Sequence, residues 1–170
     1  MKKSLLLICL FSIIAVSSSY AQKYALIDME YILKNIPTVE QANKELEEVS
    51  KQWQAEIDAQ TTEVEAMYKK YQKDFDSLKG EEKTKRENEI VEKENQINKL
   101  SNSYFGPEGE LLKRREAFMK PIQDDIYEAV KSISNSVGYQ MVIDRASATS
   151  IIFASPSIDI SDQVLDLLGY

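Results

Sequence analysis

The chain has 170 residues, with 28 acidic against 21 basic side chains and no histidine, for a net charge of −7 at pH 7. That balance excludes attraction of nucleic acid or anionic lipid through counterion release. The one cysteine, Cys9, falls inside what reads as a removable leader, so the mature chain is left without a disulfide, a thiolate nucleophile, an imidazole base or an ordinary zinc site.

Lys2 and Lys3 precede an apolar run from Leu5 to Val16, and Ser19-Tyr20-Ala21 puts small residues at the two positions that signal peptidase reads. Residues 1–21 are expected to be a signal peptide cut near Ala21-Gln22. The run is about 12 residues, short of the roughly 20 needed to cross a bilayer, and no later stretch is apolar enough to act as an integral membrane anchor. Losing Lys2 and Lys3 moves the balance to about −9. Charges of both signs are interleaved, as in Glu81-Glu82-Lys83-Thr84-Lys85-Arg86-Glu87, the pattern of a solvated helix.

Tyr24-Ala25-Leu26-Ile27-Asp28 reads as a short buried strand, followed by a brief helix from Tyr31 to Asn35 that stops before Pro37. Thr38-Val39-Glu40-Gln41 has the form of a capping box, so a long helix is predicted to start there. Apolar residues then fall at Ala42, Leu46, Val49, Trp53, Ile57, Val64, Tyr68, Tyr71 and Phe75, with Gln60 breaking the series. Steps of four, three and four make an 11-residue repeat, about 3.67 residues per turn, which predicts a nearly straight stripe. From Thr38 to Leu78 such a helix is an arm of roughly 60 Å.

Ser77-Leu78-Lys79-Gly80 is read as the turn, with Gly80 in a left-handed conformation. Glu81 onward returns as a second helix. Its stripe is thin, with Ile90, Ile97, Leu100 and Tyr104, and same-face pairs such as Glu81 with Lys85 and Glu89 with Lys93 add only about a few tenths of a kcal/mol each. Gly106-Pro107-Glu108-Gly109 must interrupt or bend this helix, at a level opposite Trp53 in an antiparallel hairpin. Gly106, Pro107 and Gly109 are therefore candidates for a hinge, or equally for a fixed kink.

Leu111, Phe118, Ile122, Ile126, Val130, Ile133 and Val137 give a further helical stripe, ended by Gly138. Tyr139 to Asp144 and Ile151 to Ala154 flank the turn-prone Arg145 to Ser150 and predict a β-hairpin closed by Pro156. Ser161 is expected to cap a last helix through Leu168. The fold class that results is mostly α with a small β body (α+β): a long antiparallel helical hairpin arm projecting from a short-stranded body. Open strand edges make oligomerisation the expected way to complete that body.

In order and spacing the chain resembles the Skp (OmpH-like) family of periplasmic chaperones over essentially the whole mature sequence. The residues that carry the resemblance are the first strand Tyr24 to Asp28, the polar hairpin, Lys120-Pro121-Ile122, Gly138-Tyr139 to Asp144, and Asp159-Ile160-Ser161. Phe105-Gly106-Pro107-Glu108-Gly109-Glu110-Leu111 is similar to the Bacteroidetes branch. The resemblance implies a periplasmic homotrimer whose three arms enclose a cavity that holds unfolded outer-membrane proteins. It divides the chain into a signal peptide (1–21), a β-containing trimerisation body with supporting helices (22–37 and 111–170) and a hairpin arm (38–110) with its tip near 78–81. Some members have basic arms associated with anionic membranes or lipopolysaccharide; the acidity of this chain keeps that binding from being carried over.

No phosphate-cradling glycine loop is present, so holding and release are expected to be ATP-independent, with no cofactor and no enzymatic role. The alternative is a structural or adaptor coiled coil of the envelope. Candidates for client contact are Trp53, Met67, Tyr68, Tyr71 and Phe75, although their helical spacing is also what packing against the return helix would require. Tyr24, Leu26, Ile27, Val142, Ile143, Ile151, Ile152 and Phe153 are candidates for body core and subunit contact. Asp28 and Asp144 both end strands, and are read as caps of the adjoining turns and not as a catalytic pair.

Overall fold

The computed structural model describes residues 23–170; the expected signal segment lies outside the described residues. In chain order the elements are strand β1 (Lys23–Ile27), helices α1 (Met29–Lys34), α2 (Pro37–Asp74), α3 (Glu81–Phe105) and α4 (Glu110–Val137), strand β2 (Tyr139–Asp144), a single 3₁₀ turn (Pro156–Ile158) and helix α5 (Ser161–Leu168). The molecule is mostly helical around one two-stranded sheet.

Asp28 ends β1 and starts α1 in one step, because its carboxylate accepts from the Tyr31 amide at 2.9 Å. The long helix starts at Pro37, one residue before the expected capping box. Pro37 has no amide hydrogen to leave unpaired and its φ already suits a helix, so Ile36 serves as the flanking residue and Thr38 makes no cap. At the far end α2 stops at Asp74, and Gly80, at φ 56°, lets the chain reverse into α3.

The strands pair in parallel, with Tyr24 beside Met141, Ala25 beside Val142, Leu26 beside Ile143 and Ile27 beside Asp144. A parallel pair needs a long crossover, and here α1 through α4, the whole arm included, is that crossover. This corrects the expected hairpin of Tyr139–Asp144 with Ile151–Ala154: β2 finds its partner in β1, and residues 151–155 run without regular structure. On the other side of β1 the only ladder contact among the described residues is a single bridge between Leu26 and Asp159, with the Ile160 amide donating to the Leu26 carbonyl at 2.9 Å.

The core sits where these pieces meet. Ala25 and Ile27 of β1, Ile32 and Ile36, Ile126 and Ala129 of α4, and Ile160, Val164 and Leu165 around α5 form one buried cluster. Ser161 is not the cap of α5 but its first residue. Its hydroxyl, nearly fully buried, accepts from the Asp28 amide at 2.8 Å and ties α5 to the end of β1. Asp144 closes the same junction from β2, accepting from the Met29 amide at 3.1 Å and the Ala146 amide at 3.0 Å. Gly138 and Gly169, at φ 84° and 86°, end α4 and α5 in the left-handed conformation.

Candidate functional site

The hairpin seam decides which arm residues are available. Along α2 and its turn the inward residues are Trp53, Ile57, Gln60, Val64, Met67, Tyr71, Asp74 and Leu78; along α3 they are Lys83, Arg86, Ile90, Lys93, Ile97, Leu100 and Tyr104. Both series alternate steps of four and three, a seven-residue repeat in place of the expected 11-residue one. A single partner helix is the cause. Two helices that stay in contact along their length wind around each other and bury a 3.5-residue seam. Met67 and Asp74 therefore take the inward positions that the longer repeat gave to Tyr68 and Phe75, which are left 43% and 45% exposed.

Contacts along the seam are largely polar. Trp53 stacks on Tyr104 with centroids 4.5 Å apart, meets Phe105 edge-on at 6.2 Å, and carries the Arg114 guanidinium 5.2 Å from its ring. The Tyr104 hydroxyl donates to Glu56 at 2.9 Å and the Tyr71 hydroxyl donates to Glu87. By accepting those hydrogen bonds the two carboxylates favour the protonated phenols and raise their pKa values, that of Tyr71 up to about 12. Lys93 reaches across to Glu63 at 3.1 Å instead of to Glu89, and Arg86 reaches Asp74 at 2.9 Å.

Of the five client-contact candidates, Trp53 and Tyr71 are thus engaged within the hairpin, and Met67 is half-buried in the seam. Tyr68 and Phe75 face outward. Phe75 touches Tyr71 edge-on at 5.7 Å and has the Lys83 ammonium 3.9 Å from its ring centroid. Tyr104, Glu56 and Glu87 were not among the candidates; the seven-residue spacing of Ile90, Ile97 and Tyr104 was the signal that could have found the first.

Gly106, Pro107 and Gly109 form a tight turn between α3 and α4. The Gly109 amide donates to the Gly106 carbonyl at 2.8 Å, with Pro107 at the second position, where its fixed φ fits. A Cβ on Gly106 would meet the Asn102 carbonyl oxygen, and one on Gly109 would lie 2.6 Å from that of Tyr104. Both positions need glycine for close approach, since neither φ is positive. The turn lies at the level of Trp53 on the uninterrupted α2.

In the body, Leu26 and Ile27 are buried, Val142 and Ile143 are half-buried, and Tyr24 is exposed on β1. Ile151 is half-buried, whereas Ile152 and Phe153 are 102% and 85% exposed, so within one chain these last two lie outside the core expected for them. Beside them Arg145 binds Asp28 at 2.9 Å and Asp159 at 3.5 Å. The capped Tyr31 amide, with Arg145, holds the Asp28 carboxyl below its ordinary pKa against a smaller effect of burial. Burial opposes ionisation of Asp144, but the Met29, Ala146 and Ser147 amides and the Ser147 hydroxyl together outweigh it and lower that pKa too. Asp28 serves as a local cap, and Asp144 both caps its own turn and holds the start of α1.

Among the described residues there is no cluster of acidic, histidine or cysteine side chains fit to hold a metal, and no helix long and apolar enough to cross a membrane. Residues 23–168 match the model of the family described as outer membrane protein (OmpH-like). The chaperone protein Skp of Yersinia enterocolitica is 29% identical over 166 residues, covering 97% of this chain and 98% of its own length. The Skp of Pectobacterium atrosepticum is 26% identical over 167 residues, with 97% and 98% covered. The crystal structure of a protein described as an OmpH-like outer membrane chaperone from Caulobacter crescentus CB15 is similar in fold, with a TM-score of 0.66 at 12% identity over 89% of this chain and 86% of that one.

Proposed function

The chain belongs to the OmpH-like outer membrane protein family, and from that premise we propose that it is an ATP-independent periplasmic holdase. It binds unfolded outer-membrane proteins between the arms of a homotrimer and keeps them from aggregating. The division of labour that goes with this reading is a signal peptide over 1–21, an assembly body over 22–37 and 111–170, and a client-holding arm over 38–110.

The observation that carries the reading is the placement of apolar surface. Tyr68 and Phe75 stand outward on the arm, and Ile152 and Phe153 stand outward on the body. Covering one ring, about 100 Å², contributes roughly 2.5 kcal/mol before ordering costs, so one arm holds a client weakly and three hold it usefully. Weak contacts repeated on several arms also suit release without a nucleotide. The acidic charge directs the protein away from lipopolysaccharide and toward polypeptide clients.

Light scattering on the mature protein, followed by dilution of a urea-unfolded outer-membrane β-barrel protein into it, tests the proposal. A trimer that suppresses client turbidity is expected. A monomer that leaves turbidity unchanged would sink the proposal in favour of an adaptor coiled coil.

A further inference from the structure

We infer, on the premise of that holding function, that the flank of the arm bearing Tyr68 and Phe75 is the client face, and that it selects unfolded segments in which basic and apolar side chains are interleaved. Tyr68 and Phe75 each lie four residues after a seam residue of α2, and Glu87 and Glu94 each lie four after a seam residue of α3. In an antiparallel pair these two flanks fall on the same side of the hairpin. The cross-helix contacts of Tyr71 with Glu87 and of Lys83 with Phe75 mark that side.

Asp58 and Glu65, each one residue past the seam, border the same face, so the charged side chains that α2 and α3 place on it from residue 58 to residue 94 are acidic except for Lys83, which lies over Phe75. None of the four carboxylates makes an ion pair among the described residues. The opposite flank differs. There Lys93 neutralises Glu63, and Arg86 lies near both Asp74 and Glu82. One side of the arm thus combines exposed aromatic rings with a net excess of carboxylates, two of them, Glu65 and Glu94, with neither an ion pair nor one of the side-chain hydrogen bonds that Asp58 and Glu87 accept from Gln54 and Tyr71.

The chemistry of the occupant follows from that combination. A flexible chain carrying Lys or Arg beside apolar residues can cover Tyr68 or Phe75 while its cation meets Glu65, Glu87 or Glu94. Phe75 already accepts a cation in this way, from Lys83 at 3.9 Å. A client rich in carboxylates would be repelled from the same rings, both locally and by the net charge of −7. Selection therefore acts through charge, and holding through the rings.

The test uses the full mature chain and one urea-unfolded outer-membrane β-barrel protein in two forms, unmodified and with its lysines acetylated. At low salt the acetylated form is expected to bind about tenfold more weakly, and the gap to close near 0.5 M NaCl, where screening is short-ranged. Glu65→Gln/Glu87→Gln/Glu94→Gln should remove most of the gap, since glutamine matches glutamate in helix propensity, which far-ultraviolet circular dichroism checks. Tyr68→Ala/Phe75→Ala should weaken both forms alike. Equal binding of the two forms by the unaltered chain, or a full gap in the triple variant, overturns the charge selection while the holding function stands. Unchanged binding by the double variant overturns the choice of face. Failure of the unaltered chain to bind either form overturns the holding function itself.

Discussion

Ser161 shows how much one hydroxyl can hold together in a small body. Its Oγ is the acceptor for the Asp28 amide, at a point where β1, α1 and α5 converge and the side chain is only 4% exposed. Removing it in Ser161→Ala leaves a part-buried amide without a partner, which costs about 2 kcal/mol of stability, measurable by urea denaturation at neutral pH. A change under about 0.5 kcal/mol would mean that the Asp28 amide has another acceptor. The carboxylates beside it set the pH response. The pKa values of Asp28 and Asp144 are held below the ordinary 3.8 in the folded chain. As pH falls the unfolded chain therefore takes up the protons first, and the stabilisation, fully present above that ordinary value, is lost as pH drops through the lowered folded values. The urea midpoint is expected to fall as pH drops below about 4, and Asp144→Asn to flatten that fall; an equally steep fall in the variant would place the titration elsewhere.

At the scale of elements, the seam of the arm is poor in apolar groups by design of its sequence. Gln60, Asp74, Arg86 and Lys93 occupy positions that a stable coiled coil would give to leucine or isoleucine, and only Ile57, Val64, Leu78 and Ile90 along the distal seam are buried. Gln60→Leu should therefore stabilise the hairpin by about 1 kcal/mol, because it replaces a half-buried amide with apolar area; hydrogen exchange of α2 amides near residue 60 would slow. Faster exchange would show that Gln60 makes a needed contact. The same seam explains what could and could not be seen in advance. The two long helices, the Gly-Pro break opposite Trp53, and the glycine end at Gly138 follow from local chemistry, and each is legible residue by residue, whereas Gly80, expected to end the first long helix, instead flanks the start of α3, with α2 already ended at Asp74. The choice between a 3.5 and a 3.67 repeat is not local. Val64 and Tyr71 fit both, and only the presence of a single partner helix turns Met67 inward and Tyr68 out. The pairing of β2 was hidden for a similar reason. A turn-prone Arg145 to Ser150 favours a hairpin with the next apolar run, but β1, far earlier in the chain, competes for the same edge and wins.

For the whole molecule, the segment that lost that competition is the informative one. Ile152 and Phe153 follow the turn after β2, carry two large apolar side chains, and find no cover among the described residues, at 102% and 85% exposed. A body with one two-stranded sheet has little core to spare, and an isolated pair of strands is marginal in water. In the homotrimer proposed above, supplying this segment to the sheet of a neighbouring copy would cure both defects at once, and a ring of three copies would close without leaving an edge. Burying the two side chains, on the order of 200 Å² per subunit, contributes roughly 5 kcal/mol per contact before the cost of association. Ile152→Glu/Phe153→Glu puts two charges into that contact and is expected to shift the solution mass from trimer to monomer. Helicity should change little, since neither Ile152 nor Phe153 belongs to the buried core cluster around Ile126. If each arm binds weakly, as proposed above, the monomer should also lose nearly all suppression of client aggregation, a loss far larger than threefold since the arms act together. A variant that stays trimeric would move the assembly surface away from this segment, and a monomer that still protects its client would show that one arm suffices.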